Sequence, residues 1–575
     1  MNSAANSPDH PASSGSGPAS LDDPFYYRHN FRWVLDWVIT RYDDLLTAPE
    51  RQFVTDFGRL PRASQALLVR MVMRKGQLFR ADRLRYPEIG SSEAAARPLI
   101  ELGWLNDHFN LTLEQLFAQF TWPELKIRLA DALQAPGLSP RLGKRDSLAQ
   151  LAVHYPHARP LSEWGIEGAG LYELTIMPLA NRFRWLFFGN PYQDWSEFVL
   201  TELGLFQYEP VVFDQASRPV HTTRELQTYW HLQQCREQLY QDEPLEVVAA
   251  QIPAIDSTTN PLLIRTRERL FYRLGREWER AGELERALWA YTGCHYPGAR
   301  GRQLRVLERL TRYPEAFDLA REAARKPETE AEAQQLSRLL PRLHRKLALT
   351  PPATAKPPEP PRLDLVLPLS VPVEVAVLSQ LQEPKGPVHY VENTLITGLF
   401  GLLFWEAIFA PLTGAFFHPF QRGPADLYWP DFHSRRKSLF DEGFERLARG
   451  EHGGTILQNY REKWGIQSPF VNWGILSETL ITQALACIPA HHLILCFERL
   501  LRDIKANRAG LPDLIQFWPE EGRYRMIEVK GPGDRLQDNQ KRWLAFFAEH
   551  GMPVTVGYVS WSDVAGGDEP GGADA

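Results

Sequence analysis

Two β-rich runs near the C-terminus constrain the fold more than any other feature of the sequence. The run DLIQFW begins at Asp513 and the run RYRMIEVK ends at Lys530, and the stretch PEEGR between them is a turn signal. The sequence therefore predicts an antiparallel hairpin. In that hairpin Asp513 opens the first strand and Glu528 lies near the end of the second strand, so strand pairing brings the two carboxylates together.

The charged residues of this hairpin predict a cation site. Glu528 and Lys530 are two residues apart, so both side chains lie on the same face of the strand. Two carboxylates are costly to bring together without a shared cation, and a hard cation such as Mg²⁺ prefers carboxylate and water oxygens. Asp513 and Glu528 are therefore candidate ligands of Mg²⁺ or Mn²⁺. Lys530 is a candidate for positioning a water molecule or stabilising charge on a phosphoryl transition state.

The chain after the hairpin completes a recognisable set of elements. DRLQDNQKRWLAFFAEHG predicts an amphipathic helix that ends at Gly551, and PVTVGYV predicts a further strand. Hairpin, helix and strand in this order resemble the core of the PD-(D/E)xK nuclease fold. We therefore expect an α/β nuclease domain at the end of the chain.

The chain before this domain has mostly helical patterns. LTLEQLFAQFTWPELKIRLADALQAPGLSPRLGKRDSLAQLA predicts short amphipathic helices around a Pro/Gly-rich turn, and it resembles the SAP modules that hold DNA backbone. Further along, Ala287 in ERALWAY recurs as Ala316 in a second similar helix. This small-residue pattern resembles helical-hairpin repeats of the tetratricopeptide (TPR) kind, although the copies are irregular.

The sequence thus predicts a multidomain protein with mostly α N-terminal and TPR-like regions followed by an α/β nuclease domain. With 575 residues the chain is long enough for several domains. The predicted segments are a disordered tail (1–24), a helical DNA-binding region with a SAP-like module (25–165), TPR-like repeats (166–348), a Pro-rich linker (349–374), the nuclease domain (375–562) and a second disordered tail (563–575).

Basic residues cluster at several places in the helical regions. The net charge of −6 excludes a uniformly basic surface, so any nucleic-acid binding must use local patches. Such patches could contact phosphates, or they could be ordinary solvated helix surface, and the sequence leaves both interpretations open. The candidate DNA-contacting residues are Arg74, Lys75, Arg80, Arg141, Lys144, Arg265, Arg267 and Arg302.

The motifs around the hairpin are similar to those of a known family. GLPDL and IEVKGPGDRLQDNQKRWL resemble the virus-type replication-repair nuclease (VRR-NUC) domain of the Fanconi-associated nuclease family, and this chain is similar to bacterial members. The resemblance implies a structure-selective, metal-dependent DNA nuclease with 5′-flap endonuclease and 5′-to-3′ exonuclease activity in interstrand-crosslink repair. It also implies a pocket for a terminal 5′ phosphate, for which Arg265, Arg267 and Arg302 are the candidates.

The resemblance also selects a third carboxylate. From the residues alone, Glu392 or Glu406 could serve, but on one continuous helix they would lie about 21 Å apart. The segment ENTLITGLFGLLFWEAIF resembles the first nuclease helix of the family, and this selects Glu392 as the catalytic acid. The family pattern further implies the main-chain carbonyl of Val529 as a metal ligand and Gln540 as a supporting residue; the alternative for Gln540 is an ordinary helix-surface residue.

Other features restrict the cofactors and the compartment. The four cysteines are scattered without a CxxC pair, which argues against a zinc site or a disulfide framework. We therefore expect no ubiquitin-binding zinc finger, which animal members of the family carry, and a cytoplasmic, nucleoid-associated protein. The apolar run from Ile396 to Phe417 is interrupted by Glu406 and Pro411, so it predicts a buried core helix and no membrane partner.

Two other functional hypotheses remain open at this level, a Holliday-junction resolvase-type nuclease and an inactive TPR scaffold protein. A resolvase acts as a two-fold dimer. Here, the helical patterns SRRKSLFDEGFERLARG and TILQNYREKWG lie between Glu392 and Asp513 and predict an inserted helical subdomain. Such an insertion would obstruct a dimer, so we expect a monomer that binds branched or flapped double-stranded DNA.

Overall fold

The computed structural model describes residues 23–133, 143–166, 170–190, 193, 206–241, 243–256, 260–350, 359–368 and 372–562. The predicted tails lie outside these residues except for residues 23 and 24, and Arg141 also lies outside them. The chain divides into two compact units, Met1–Phe206 and Gln207–Ala575.

The first unit is mainly helical and contains two small antiparallel sheets. One sheet has the order β1–β5–β2, and the other pairs β3 with β4. These strands are β1 (Leu78–Arg80), β2 (Leu105–Asn106), β3 (Asn110–Leu111), β4 (Arg159–Pro160) and β5 (Leu171–Leu174). Its described helices are Tyr26–Tyr42, Ala48–Arg59, Arg62–Val72, Ser92–Glu101, Leu113–Gln119, Trp122–Arg128, Ala130–Leu133, Lys144–Leu151 and Met177–Phe188.

The SAP-like part of this unit has its own small core. Thr112 and Thr121 each begin a helix with a capping box, in which the threonine and a Gln or Glu three residues later satisfy free backbone N–H groups. Trp164 is buried, and its indole N–H donates a 2.8 Å hydrogen bond to the carbonyl of Leu111. This bond joins the first strand of the SAP-like part to its last turn.

The second unit begins with helical hairpins. Ala287 and Ala316 are both completely buried in the core of these helices, as expected for small residues where helices pack closely. Gly275 has no side chain, and this lets its helix pack closely against Tyr291. A Cβ atom at Gly275 would come within 2.9 Å of the Tyr291 ring. The described helices of this part are Thr223–Gln238, Leu245–Gln251, Pro261–Ala281, Leu284–Tyr291, Ala299–Arg309, Tyr313–Arg325 and Glu330–Lys346.

A five-stranded mixed sheet follows, in the order β6–β10–β9–β8–β7. Its strands are β6 (Arg362–Pro368), β7 (Val388–Tyr390), β8 (Leu514–Trp518), β9 (Arg523–Lys530) and β10 (Val554–Ser562). The predicted hairpin is confirmed, because β8 and β9 pair antiparallel with Leu514 opposite Ile527. The predicted helix is Asp538–Glu549, and it connects β9 to the parallel strand β10.

Strand β6 lies inside the segment that the prolines suggested to be a linker. It pairs in parallel with β10 over its whole length, from Arg362 opposite Val556 to Pro368 opposite Ser562. An edge strand tolerates proline because one side of its backbone has no neighbouring strand to bond. The nuclease sheet therefore extends to the N-terminal side of the boundary predicted at residue 375.

The apolar run from Ile396 does not form the single helix that the sequence predicted. The structure has one helix at Leu395–Leu403 and a short one at Trp405–Ile408, with a break at Phe404. No helix follows directly, because Pro411 lacks the N–H group that a continuing helix would need. Most of the run is buried, as expected, while Glu406 is exposed.

The predicted helical insertion is also different in the structure. The helices Lys437–Ala448 and His452–Glu462 form where expected, but their apolar residues Phe440, Leu447 and Ile456 belong to the same buried cluster as Phe400 and Phe547. They are therefore part of the nuclease core, because their apolar faces continue that core. The other helices are Val373–Leu381, Phe432–Arg435, Glu478–Cys487, Ala490–Arg502 and Ile504–Asn507.

Among the described residues, no single helix has the length and apolar character needed to cross a membrane. One pair of helices, Glu478–Cys487 and Ala490–Arg502, meets these criteria jointly, with a bend of 111° between them.

The packing of Gly443 against Phe404 provides a test of this core. A Cβ atom at Gly443 would come within 2.7 Å of the Cδ1 atom of Phe404, so Gly443→Ala should lower the free energy of unfolding by about 1–3 kcal/mol. Gly454→Ala is the matched control, because Gly454 is also helical and its Cβ would meet nothing within 4 Å. Chemical denaturation of both variants gives the comparison, and equal stability of the two would contradict this packing.

Candidate active site

Strand pairing places Asp513 and Glu528 beside each other. Asp513 directly precedes β8, one residue beyond the pair Leu514–Ile527, so it lies opposite Glu528. Its Oδ2 atom accepts a 2.8 Å hydrogen bond from the N–H group of Val529, which fixes the carboxylate over the end of the neighbouring strand. Asp513 is only 8% exposed. The structure therefore brings the first two predicted ligands together.

Glu528 is completely buried, in the central strand of the sheet. The Lys530 ammonium lies 2.6 Å from its Oε1 atom, but neither carboxylate oxygen accepts a hydrogen bond of normal geometry from the described part of the chain. Buried carboxylates are normally hydrogen-bonded or bound to a cation, because burial without such partners is costly. Glu528 is therefore short of positive or hydrogen-bonding partners.

The electrostatics of the two carboxylates show the same shortage. Burial raises the pKa of Asp513 to about 6, against the opposing effect of the Val529 N–H group and the Lys530 charge. Burial, together with the negative charge of Asp513, raises the pKa of Glu528 to about 7. The charged forms of both groups are thus disfavoured in the protein alone, and a nearby cation would stabilise them.

Glu392 lies near this pair but is not part of it. It is exposed, in the turn before the helix Leu395–Leu403, and its Oε2 atom accepts a hydrogen bond from the Tyr390 hydroxyl. Its charge contributes to the raised pKa values of Asp513 and Glu528, which places it within electrostatic range. In the described ranges no three His, Cys, Asp or Glu side chains are close enough to form a metal-binding group.

The residues present nevertheless fit a hard divalent cation. Mg²⁺ is commonly bound in proteins by one or two carboxylates, with water and substrate phosphates supplying the other oxygens. Asp513 and Glu528 are two such carboxylates, and among the described residues the Lys530 ammonium is the group that lies against the Glu528 oxygens. Val529 lies between Glu528 and Lys530 on β9, and its carbonyl stays a predicted ligand.

Three residues that lie around the site were not identified from the sequence. Tyr390 and Asn393 flank Glu392 and both donate hydrogen bonds to its carboxylate. Glu374, at the start of the helix Val373–Leu381, adds a negative charge that also raises the pKa of Asp513. Tyr390 and Asn393 are close to Glu392 in the sequence, but only the folded turn shows their contacts, and Glu374 lay in the predicted linker.

Gln540 has a structural contact at the start of the helix Asp538–Glu549. Its Oε1 atom accepts a 2.9 Å hydrogen bond from the backbone N–H of Gln537, and the two residues form a capping box. Asp534, in the loop before this helix, accepts a 3.0 Å hydrogen bond from the N–H of Gly531. Both bonds shape the loop that follows the active-site strand. The contact of the Gln540 side chain is therefore with the backbone of this loop.

The candidate DNA-contacting residues of the first unit differ in how exposed they are and in how their charges are paired. Arg80 is only 10% exposed, binds Asp82 and Glu124 at 2.6 and 2.7 Å, and lies over the Phe120 ring, so its charge is neutralised inside the unit. Contact of Arg80 with DNA stays a prediction, and it would have to compete with these internal partners. Lys144 donates a 2.8 Å hydrogen bond to the carbonyl of Phe120. Arg74 and Lys75 are exposed and stay candidates.

Arg265 and Arg267 also have partners within the second unit. Arg265 lies 3.8 Å from the centre of the Trp429 ring and 2.6 Å from Asp431. Arg267 binds Glu268 at 3.2 Å and donates to the carbonyl of Pro253. Each charge is paired with a nearby carboxylate, and the proposed role of these arginines in a phosphate pocket stays a prediction.

Arg302 has a different environment. Its guanidinium lies 3.4 Å from Glu279, and Arg305 and Arg309 lie 3.3 and 3.6 Å from the same carboxylate. Three cations thus share one buried acid, and the group keeps a net positive charge. Arg305 and Arg309 are 60% and 43% exposed, so this charge faces solvent. We call Arg302, Arg305 and Arg309 the arginine cluster.

The raised pKa values give a pH-dependent stability that can be measured. The folded-state pKa values of Asp513 and Glu528 lie above their ordinary values, so folding favours the protonated forms of both groups. This contribution to the free energy of unfolding is fully present below about pH 4, and it is lost as the pH rises through about 6 to 7. With EDTA present, Glu528→Gln should reduce the loss of stability between about pH 5 and 8, by an amount on the order of 2 kcal/mol.

The control for this measurement is Glu549→Gln, which removes an exposed carboxylate from the helix Asp538–Glu549. Thermal unfolding across the pH range should give the same profile for this control as for the unmodified protein. If Glu528→Gln also left the profile unchanged, Glu528 would not be a charged, unfavourably buried group at neutral pH.

Family comparisons agree with this arrangement of elements. Residues 25–106 match the family described as "FAN1, HTH domain", and residues 110–164 match the "Fanconi anemia-associated nuclease SAP domain". Residues 449–561 match the "VRR-NUC domain", which includes Asp513, Glu528 and Lys530 but not Glu392.

Similar proteins cover nearly the whole chain. The Fanconi-associated nuclease 1 homolog of Pseudomonas aeruginosa is 51% identical over 549 residues, which cover 94% of this chain and 97% of the relative. A homolog from Arabidopsis thaliana is 25% identical and matches 92% of this chain and 66% of its own length.

Solved structures agree with these relatives. A crystal structure of paFAN1 bound to DNA with a 2-nucleotide 5′ flap and a gap is 50% identical, with a TM-score of 0.86, and covers 95% of this chain and 100% of that chain. The corresponding complex with a 1-nucleotide flap has a TM-score of 0.84. The family resemblance predicted from the sequence is thus confirmed: the chain belongs to the Fanconi-associated nuclease family, DNA nucleases that carry a VRR-NUC domain and depend on a divalent metal.

Proposed function

We propose that this protein uses Mg²⁺ or Mn²⁺ to cut DNA near 5′ flaps, also degrades DNA in the 5′-to-3′ direction, and acts in interstrand-crosslink repair. The observation that carries this proposal is the buried pair Asp513 and Glu528 with the Lys530 ammonium 2.6 Å from Glu528. The 5′-flap complexes of paFAN1, at 50% and 51% identity to this chain, support the choice of substrate.

Each residue of the site has a part in this reaction. A divalent cation at this site would polarise a phosphoryl oxygen and make a bound water more acidic. Asp513 and Glu528 would hold it, and the Val529 N–H group keeps Asp513 oriented. Lys530, already held beside Glu528, would donate a hydrogen bond to the attacking water or to a phosphoryl oxygen as negative charge develops there.

Glu392 completes the proposed set of acids. Its carboxylate is exposed beside the buried pair, and its charge already acts on both members. Its contacts are hydrogen bonds from the Asn393 carboxamide and from the Tyr390 hydroxyl, which orient it without enclosing it. We also propose that the protein acts as a monomer, because cutting one strand at a flap needs one site and one chain supplies all four residues of it.

The experiment that tests this function uses the purified protein with Mg²⁺ or Mn²⁺ and labelled 5′-flap, 3′-flap, four-way and single-stranded DNA. We expect cleavage of the 5′ flap, a mostly uncut four-way junction, and the mass of a monomer by light scattering. Paired symmetric cuts in the junction by a stable dimer would instead indicate a resolvase. No cleavage of any substrate would indicate an inactive scaffold protein.

Substitutions of the four residues test their individual roles. Asp513→Ala, Glu528→Ala and Glu392→Ala should each abolish cleavage but leave DNA affinity nearly unchanged, because they remove proposed cation ligands and not phosphate contacts. Lys530→Ala should lower the turnover rate by roughly 100-fold, with Mn²⁺ still bound in calorimetry. Glu406→Ala is the control, because Glu406 is an exposed acid of the neighbouring helix and should keep full activity.

The arginine cluster is the part of the second unit that we propose contacts DNA phosphates. Arg302→Gln, Arg305→Gln and Arg309→Gln together keep hydrogen-bond donors for the buried Glu279 but remove three charges. Measured by fluorescence anisotropy, the slope of log affinity against log salt should become shallower by about 2–3. Arg280→Gln, an exposed arginine paired with Glu277, is the control. An unchanged slope in the triple variant would show that the cluster is only solvated helix surface.

A further inference from the structure

Asn393 lies where the two segments that carry Glu392 and Asp513 meet. Strands β7 and β8 pair from Val388 opposite Gln516 to Tyr390 opposite Leu514. One more backbone hydrogen bond follows, 2.8 Å long, from the N–H of Val391 to the carbonyl of Asp513. Beyond this point the chain turns into the helix Leu395–Leu403, and the strand pairing ends.

The side chain of Asn393 continues the connection beyond the last strand pair. Its Oδ1 atom accepts a 3.0 Å hydrogen bond from the backbone N–H of Leu511, two residues before Asp513. Its Nδ2 atom lies 3.4 Å from the Oε1 atom of Glu392 and donates to it. One carboxamide group therefore contacts both the loop that carries one acid and the carboxylate of the other.

The backbone at Asn393 restricts which residues can do this. Its φ of +53° lies in the left-handed region, which glycine, asparagine and aspartate adopt more readily than other residues. Glycine has no side chain to reach Leu511, and the aspartate side chain has no N–H group to donate to Glu392. Asparagine thus combines the required backbone conformation with one acceptor and one donor.

The loop before Asp513 is confined on its other side as well. Gly510 has a φ of +92°, and a Cβ atom there would lie 2.8 Å from the backbone carbonyl carbon of Asn539 in the helix Asp538–Glu549. The loop is therefore held between this helix and the Asn393 side chain. Loss of the Asn393 bond would free one side of the loop that positions Asp513.

We propose that Asn393 is a positioning residue, which fixes the distance between Glu392 and Asp513 and thereby the shape of the cation site. This inference rests on the proposed function, because the acids have to act on a shared cation for their spacing to matter. Residues that orient metal ligands in this way commonly change metal affinity by about 10- to 100-fold when they are replaced.

The central variant is Asn393→Gly, which allows the left-handed backbone conformation but removes the side chain. In calorimetry with the full-length, metal-free protein, its affinity for Mn²⁺ should be about 10-fold weaker than that of the unmodified protein. Asn393→Asp still accepts the Leu511 N–H bond but cannot donate to Glu392, so its Mn²⁺ affinity should lie between those of the unmodified protein and of Asn393→Gly. Hydrogen exchange at the Leu511 amide should accelerate in Asn393→Gly and not in Asn393→Asp.

The matched control is Thr394→Val. The Thr394 hydroxyl donates a 2.8 Å hydrogen bond to the carbonyl of Val391 in the same turn, and valine keeps the shape of the side chain. This variant should bind Mn²⁺ as the unmodified protein does, although it also loses a hydrogen bond of the turn. If Thr394→Val and Asn393→Gly lost similar amounts of Mn²⁺ affinity, any weakening of this turn would lower Mn²⁺ binding. That result would overturn the proposal.

Further outcomes separate this inference from the proposed function. If the unmodified protein binds Mn²⁺ and cleaves DNA but Asn393→Gly binds Mn²⁺ within about 2-fold of it, only the role of Asn393 is overturned. If the unmodified protein binds no Mn²⁺, both proposals fail. If Asn393→Gly does not fold, hydrogen exchange at the Leu511 amide of the unmodified protein tests the proposal instead. Exchange as fast as that of an unbonded amide would show that the hydrogen bond to Asn393 is not formed, and would overturn the proposal.

Discussion

The pairing of β8 with β9 is the interaction on which the active site depends. It puts Asp513 opposite Glu528, and the central position of β9 removes the Glu528 carboxylate from water. The result is an arrangement that the protein alone tolerates poorly, as the raised pKa values of both groups indicate. A cation-binding site needs this imbalance, because carboxylates already satisfied by hydrogen bonds would have less to gain from a metal.

The last repeat helix, Glu330–Lys346, attaches to the nuclease elements through polar contacts. Arg338 forms two 2.7 Å hydrogen bonds with Asp538 at the start of the helix that follows the active-site strand, and Arg542 donates to Gln334. Arg499, nearly completely buried, binds Glu330 and lies over the Trp543 ring. The repeats and the nuclease therefore share one boundary with paired charges, and they belong to the same compact unit.

The basic residues show why charge in a sequence is a weak guide to a binding surface. Like Arg302, three other candidates lie in arginine-rich segments: Arg80, Arg265 and Arg267. In the structure each of these three is paired with a carboxylate that the sequence pattern did not indicate as its partner. An arginine beside one acid forms a pair with no net charge, so it adds less to a positive surface than its sequence suggests. Where several arginines share one acid, as around Glu279, a net positive charge remains.

The sequence by itself determined the hairpin, its two acids and its lysine, because alternation within strands and a short turn are local properties that fix which side chains meet. It also determined the helix and strand that follow, and the repeated alanines. The tertiary structure alone decided that β6 joins the sheet, that the helices after Glu392 belong to the nuclease core, and that Asn393 contacts Leu511. These features depend on contacts between segments far apart in the chain, and no local pattern specifies the partner of an edge strand or of a polar side chain in a turn.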